Sequence, residues 1–256
     1  TDESTRFKIT PEQLEAAIEN CKIALELRPD WAELINLIGT IQLRQGSLDA
    51  ALANFEQAIS IKPNFDIALN NGGIVQTKKG DLQAALESHK QAIKANPKSS
   101  KNHYNAGAVY RHIGDLESSI ESYGEAIKID PKYYEAHWNQ SLAYLHNEDF
   151  QNGWAKYEAR WQAVSDMRYL TTVKPLWRFD RRQRVLVWAE QGLGDEIMFA
   201  SSIREAHALC SKLIIQVDER LIPLFKRSFP DDIDFRIKSK HVSENEYDFH
   251  LPMGSL

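Results

Sequence analysis

Small, apolar and proline positions recur at a fixed interval over roughly the first 160 residues of the chain. Two series show the interval, Ala24, Ala58, Ala92 and Ala126, and Pro29, Pro63, Pro97 and Pro131, each with a spacing of 34 residues. A period of this length is typical of helical-repeat arrays, in which each unit buries its apolar face only against its neighbours. The pattern therefore predicts a solenoid with an extended surface, a fold that binds partners more often than it catalyses.

Glycines show how each unit folds when the units are counted over residues 32–65, 66–99, 100–133 and 134–167. Gly39, Gly73 and Gly107 fall midway along a first helix, and Gly46, Gly80 and Gly114 fall at the turn after it. The first set lets a paired helix approach closely, and the second set adopts a left-handed conformation without steric penalty. The prolines end the second helix, because proline lacks an amide donor and pushes its predecessor out of the α region.

Both ends of this region depart from the pattern. Thr10, Pro11 and Gln13 read as an N-cap, a first-turn proline and a capping box, and they predict a helix over about residues 11–28. That helix matches the second helix of a unit. In the fourth unit, the turn at residues 147–149 contains no glycine, so its second helix is predicted to act as a junction.

Several repeat positions together resemble the tetratricopeptide repeat over residues 11 to about 160. They are glycine at the eighth position of the unit, alanine at the twentieth and twenty-seventh, and proline at the thirty-second. The resemblance implies a superhelical α solenoid over residues 1–160, consisting of a half-unit and about four helix-turn-helix repeats. It also implies a protein-interaction module that holds a protein or an extended peptide in a groove lined by the first helices.

One column of the expected groove consists of asparagines. Asn71, Asn105 and Asn139 share one repeat position, which Leu37 occupies in the first unit. An amide there can donate to and accept from an extended peptide backbone without reading its side chains. The column resembles the asparagine ladder of the O-GlcNAc transferase repeats. The alternative is a solvated role or a role within the repeats.

A second column is basic. Arg44, Lys78, His112 and His146 share a later repeat position, and Arg111 lies beside it. Such a column favours an acidic segment or a chain carboxylate as the partner. The alternative is that these residues only complement the dipole at the end of each first helix.

The 34-residue period ends near Trp161. Residues 161–183 are predicted to be a connector, and residues 184–256 alternate strand-like apolar runs with helical patterns. Strands are predicted at 184–190, 212–217, 235–238 and 247–251, with one helix extending to about residue 210 and another over about 219–229. This alternation predicts a parallel sheet with helices on its faces, a small Rossmann-like α/β half-domain.

A glycine-containing loop follows the first of these strands. Gly192 and Gly194 lie where nucleotide-binding folds hold phosphate, but Ile197 occupies the third glycine position. Asp195 and Glu196 place two negative charges where a pyrophosphate would bind, and they would repel it. We therefore expect no dinucleotide cofactor in this chain.

The same loop resembles a known group of bacterial enzymes. The stretch from Trp188 to Ala200 resembles the opening of glycosyltransferase-like domains of the GT-B type, related to the ADP-heptose transferases, that are fused to such repeats. The resemblance implies that residues 184–256 are the N-terminal half of such a domain, with Gly192 and Gly194 in the acceptor loop. It implies that Asp195 is the catalytic base. The alternative is that Asp195 caps its helix.

Two functions follow from these patterns, a protein-recruiting module or a transferase whose acceptor the groove selects. A nucleotide sugar would then bind the full-length parent rather than this chain, and we expect no sugar transfer by these 256 residues alone.

Composition and residue spacing argue against several other classes of protein. The net charge of −5, from 31 basic and 36 acidic residues, argues against general nucleic-acid binding. No run approaches the roughly 18 apolar residues of a membrane span. Cys21 and Cys210 have no spacing typical of a disulfide framework or a metal site, so a cytoplasmic location is expected.

Overall fold

The computed structural model describes residues 10–164, 169–179 and 182–256. The chain divides into two compact units, residues 1–163 and 164–256. The first unit is helical and the second is α/β.

The helical unit consists of the predicted helix pairs. Its helices are α1 (Pro11–Leu27), α2 (Ala32–Arg44), α3 (Leu48–Ile61), α4 (Asp66–Lys79), α5 (Leu82–Ala95), α6 (Ser100–Ile113), α7 (Leu116–Ile129), α8 (Tyr134–His146), α9 (Phe150–Tyr157) and α10 (Arg160–Ala163). The first helix begins at the predicted capping box, with Thr10 and Gln13 hydrogen-bonded to each other's backbone amides. The prediction of a helical solenoid is confirmed.

Close approach of the paired helices explains the glycines midway along each first helix. A Cβ atom added to Gly73 would lie 2.6 Å from the His89 ring, and one added to Gly107 would lie 2.9 Å from the Tyr123 ring. The glycines therefore leave room for the ring from the second helix, and the aromatic residue buries itself against the bare backbone.

The turn between paired helices keeps its conformation even where glycine is absent. Gly46, Gly80 and Gly114 have φ angles of 80°, 84° and 91°, and Glu148 at the equivalent position of the fourth unit has a φ angle of 60°. A side chain in the left-handed region costs about 1 kcal/mol or more. The fourth unit thus retains the repeat turn in spite of an unfavourable residue.

One buried ring in the helical core is a histidine. His89 occupies the repeat position held by Phe55 and Tyr123 in the neighbouring units, and it is 1% exposed. Its Nδ1 atom has no hydrogen-bond partner among the described residues. Burial lowers the pKa of His89 to about 4, so the ring is neutral near pH 7.

The α/β unit contains a four-stranded parallel sheet. Its strands are β1 (Arg184–Trp188), β2 (Lys212–Val217), β3 (Asp234–Ile237) and β4 (Phe249–Pro252), in the order β3-β2-β1-β4. All three pairings are parallel, as predicted. The central strands are almost entirely apolar and buried, as is typical of a parallel sheet whose faces are covered.

The helices of this unit differ from the prediction in one respect. The expected single helix up to residue 210 is wrong, because a 3₁₀ turn over Ala200–Ser202 separates α11 (Leu193–Phe199) from α12 (Ile203–Leu209). The Ser201 hydroxyl donates to the Met198 carbonyl oxygen at 3.0 Å, and such a bond competes with the regular helix ladder. A further helix, α13 (Ile222–Ser228), lies within the predicted range.

Part of the predicted connector forms the edge of the sheet. The Trp177 amide donates to the His250 carbonyl oxygen at 2.9 Å, and the His250 amide donates to the Pro175 carbonyl oxygen at 3.1 Å. Trp177 is only 2% exposed. The end of the connector therefore packs as part of the α/β unit.

Candidate protein-binding groove

The asparagine ladder links successive repeats by side-chain hydrogen bonds. The bonds run from Asn71 Nδ2 to Asn36 Oδ1 (3.1 Å), from Asn105 Nδ2 to Asn70 Oδ1 (2.8 Å) and from Asn139 Nδ2 to the Tyr104 hydroxyl (3.0 Å). In each case the donor lies 35 residues after its acceptor. Each ladder asparagine therefore donates to the fifth position of the preceding unit.

In this geometry, the Nδ2 and Oδ1 atoms of each ladder asparagine lie in different environments. The amide nitrogens bind the preceding unit, which is the role within the repeats that the sequence left as an alternative. No hydrogen bond among the described residues uses the Oδ1 atoms of Asn71, Asn105 or Asn139, and all three side chains are half-buried. We therefore expect the ladder amides to accept hydrogen bonds from a partner through Oδ1, but not to donate to it.

The basic column lies on the same helical face as the ladder. Lys78, His112 and His146 each follow a ladder asparagine by seven residues, which is two helical turns and about 10 Å. Together with Arg44 they are exposed, and they form no ion pair among the described residues. All four lie in the last turn of their helices, where a cation also complements the helix dipole.

Arg111 differs from its neighbours in the basic column because it is half-buried among tyrosines. The Tyr104 ring lies 5.6 Å from the Tyr123 ring and 4.8 Å from the Tyr133 ring, between centroids. Burial raises the pKa of Tyr123, whereas the charge of Arg111 lowers it, so the guanidinium lies close to that phenol. Neither the Tyr123 hydroxyl nor Arg111 Nε, however, has hydrogen-bond geometry to a partner among the described residues.

The glycine loop of the α/β unit carries the second set of predicted residues. Asp195 is half-buried, and its Oδ2 atom accepts the Gly192 amide at 3.2 Å, so it caps the start of α11. Added Cβ atoms at Gly192 and Gly194 would meet no backbone atom within 4 Å. Neither glycine is therefore required by close packing.

Sequence reasoning missed the role of Glu196, which it treated only as a charge that repels phosphate. Glu196 is 1% exposed. Its Oε1 atom pairs with Lys238 Nζ at 2.7 Å, and its Oε2 atom accepts the Asp218 amide at 2.7 Å. The carboxylate thus connects α11 to residues just after β2 and β3. No local sequence pattern around Glu196 indicates a partner 42 residues away.

The described part of the chain contains neither a candidate metal site nor a candidate membrane span. Among the described residues, no group of three or more His, Cys, Asp or Glu side chains could hold a metal ion. None of the described helices is long and apolar enough to cross a bilayer.

Two family models match the helical unit. A tetratricopeptide repeat model matches residues 32–65, and a TPR repeat model matches residues 107–147. Protein FlbA from Caulobacter vibrioides is 40% identical over 84 residues, which are 30% of this chain and 14% of that protein. The chain therefore spans only a small part of this curated relative.

Several solved structures have a similar fold. MamA is 21% identical and has a TM-score of 0.55, covering 64% of this chain and 95% of that one. MamA 41-end from Desulfovibrio magneticus RS-1 is 20% identical with a TM-score of 0.54, covering 59% and 85%. YrrB, described as a TPR protein with an unusual peptide-binding site, is 19% identical with a TM-score of 0.51, covering 60% and 80%. At these identities the likeness concerns the fold alone, and together with the family models it identifies the helical unit as an array of tetratricopeptide repeats, which indicates a protein-interaction module.

Proposed function

We propose that the helical unit recruits a protein partner by binding an extended, acidic segment of it along the ladder and the basic column. The observation that carries this proposal is the pairing of unused acceptors with unpaired basic side chains on one face. Three Oδ1 atoms accept nothing from the described residues, and exposed Lys78, His112 and His146 lie two turns further along the same helices.

Each half of this face would recognise a different property of the segment. The ladder oxygens accept backbone N–H groups, which every extended peptide presents whatever its side chains. The basic column selects negative charge and accelerates association at low ionic strength. The two columns together favour an acidic chain in an extended conformation over a folded, neutral surface.

Selection from a library of displayed decapeptides, followed by calorimetry on the selected peptide, tests this proposal. Changing Asn71, Asn105 and Asn139 together to Ala is expected to weaken binding at least tenfold, because three acceptors are lost. The Asn36→Ala/Asn70→Ala variant is the matched control, since it removes two of the inter-repeat acceptors and keeps the ladder oxygens. Equal affinity of the triple variant and this control would contradict the proposal.

We also propose, as a second function, that the α/β unit is part of a glycosyltransferase of the GT-B type in a longer parent protein. The observation that favours it is the position of the glycine loop at the carboxyl end of β1, beside the point between β1 and β4 where the strand order reverses. Ligands of open parallel sheets bind at such points. Asp195 keeps one carboxylate oxygen outside its helix cap and would act as the base toward an acceptor hydroxyl.

Transfer from nucleotide sugars to candidate acceptors tests this second function. We expect no transfer by the 256-residue chain, and turnover by a longer chain that supplies a second Rossmann-like half for the donor. In that longer chain, Asp195→Asn is expected to lower kcat about a hundredfold or more. Glu205→Gln, an exposed change on the neighbouring helix, is the control. Unchanged turnover in the Asp195 variant would exclude the assigned base.

A further inference from the structure

We infer that the second repeat carries a binding site for a phosphomonoester group, held by Lys90 and Lys94 of α5. The site lies apart from the ladder and the basic column, so it does not depend on the proposed recruiting function. A phosphorylated protein side chain and a small phosphorylated molecule both present this group, which is close to a dianion near pH 7.

A cavity lies between α5 and the loop that joins the first repeat to the second. Its volume is about 440 Å³, within the range of roughly 300 to 1,000 Å³ that is usual for small-molecule sites. Pro63 and Asn64 line it from the loop, Leu69 lines it from α4, and four further residues belong to α5. None of the ladder asparagines and none of the basic-column residues lines it. The cavity is therefore a candidate site outside both columns.

Two lysines of α5 provide the positive charge of this cavity. Lys90 and Lys94 are exposed, and neither forms an ion pair or a side-chain hydrogen bond with the described residues. Residues four apart on a helix are neighbours on its surface, with about 5 to 6 Å between their Cβ atoms. Both ammonium groups can therefore reach one anion in the cavity.

The third repeat neutralises the equivalent lysine within the fold. Lys128 lies 34 residues after Lys94, and its Nζ atom pairs with Glu125 Oε1 at 2.5 Å. The second repeat has Gln91 at the position of Glu125, so Lys94 lacks the carboxylate that its counterpart has. The first repeat has Ser60 in place of the lysine. Because the repeat fold forms without an unpaired cation at this position, the unpaired Lys94 favours an external anion as its partner.

The net charge of the lining favours a dianion over a singly charged carboxylate. Glu87 also lines the cavity, and its Oε1 atom accepts the Gln91 side-chain amide at 3.0 Å. Two lysines against this one carboxylate leave one net positive charge, and the attraction to that charge grows with the charge of the ligand. Lysine also lacks the planar fork with which arginine matches a carboxylate, and it binds phosphate as a point charge. The lining therefore fits a phosphomonoester better than a carboxylate.

Isothermal titration calorimetry with two probes tests this site. They are a Gly-Ser decapeptide with one central phosphoserine, and glycerol 2-phosphate. Tighter binding of the peptide would identify a phosphorylated protein side chain as the source of the group, whereas equal or tighter binding of glycerol 2-phosphate would identify a small phosphorylated molecule. The same peptide with glutamate in place of phosphoserine should bind at least fivefold more weakly, because it carries less charge.

Three variants connect the binding to the cavity. Lys90→Gln/Lys94→Gln is expected to weaken binding of the tighter probe at least tenfold, because both cations are lost. Lys78→Gln/Lys98→Gln is the matched control, since it removes the same charge from exposed positions outside the cavity lining, and it should lose less than threefold. Gln91→Glu gives Lys94 the carboxylate that the third repeat has, so it should weaken binding about fivefold or more.

Three results would overturn the inference. They are equal losses in the lysine variant and its matched control, unchanged affinity in Gln91→Glu, and no tighter binding of either phosphorylated probe than of the unphosphorylated serine peptide. Melting temperatures of all variants, followed by circular dichroism, identify any loss of affinity that comes from unfolding. Gln91→Glu reproduces an ion pair that the third repeat already contains, so its result decides if the lysine variant unfolds.

Discussion

Replacing Glu196 with Ala is expected to destabilise the α/β unit by about 3 kcal/mol. The substitution leaves Lys238 without its counter-charge and the Asp218 amide without its acceptor, at a site where the carboxylate is 1% exposed. We place the cost at the lower end for a broken buried pair, because the Lys238 side chain is 35% exposed and water can solvate it in part. Hydrogen exchange of the β1 and β2 amides, followed by mass spectrometry, should accelerate about a hundredfold.

Two further variants make this result specific. Glu205→Ala on the exposed surface of α12 should change exchange by less than threefold, since it removes no described partner. Glu196→Gln keeps an acceptor for the Asp218 amide, so it should fall between the other two variants. Equal exchange rates in Glu196→Ala and Glu205→Ala would mean that the ion pair does not stabilise the sheet.

Replacing His89 with Phe is expected to remove most of the acid sensitivity of the helical unit. The pKa of His89 is about 4 in the folded chain, against an ordinary value of 6.5, so between these pH values the unfolded chain binds more protons. Stability from this site is complete above about pH 6.5 and falls as the pH falls toward 4. The loss at pH 4.5 is about 2 to 3 kcal/mol. Phenylalanine cannot bind that proton, and Phe55 occupies the equivalent position in the preceding unit.

Urea unfolding followed by circular dichroism at pH 7.5 and pH 4.5 measures this difference. The wild-type chain should lose about 2 to 3 kcal/mol more than the Phe variant between the two pH values. His112→Gln, which changes an exposed histidine on α6, should lose as much as the wild type. An equal loss in the wild type and in His89→Phe would mean that His89 does not control the acid response.

The repeat architecture could be predicted because its determinants are local and repeated. Gly80 and Gly114 mark the turns, and Pro63 and Pro97 end the helices, for reasons that involve only neighbouring residues. Comparison of positions 34 residues apart also aligned the ladder and the basic column. It could not pair Asn105 with Asn70, because hydrogen bonds between units cross the register and join residues 35 apart.

The α/β unit was less predictable because its contacts join distant parts of the chain. The strand of Lys212–Val217 was predicted with the correct bounds, since five of its six residues are buried and the run is mostly apolar. The order of the strands, the burial of Trp177 and the pairing of Glu196 with Lys238 depend on tertiary packing. No periodic pattern in the sequence carries that information.

The direction of the ladder hydrogen bonds distinguishes the first and last units of the ladder from the units between them. Every donor belongs to the later unit and every acceptor to the earlier one. A repeat within the series therefore donates to its predecessor and accepts from its successor. The first full unit has Leu37 at the donor position. The fourth unit has Trp138 at the acceptor position, and an indole N–H can donate but cannot accept. A duplicated copy of the second or third repeat would keep the ladder hydrogen bonds to both of its neighbours without redesign. A copy added before the first full unit or after the fourth would lack a ladder hydrogen-bond partner there.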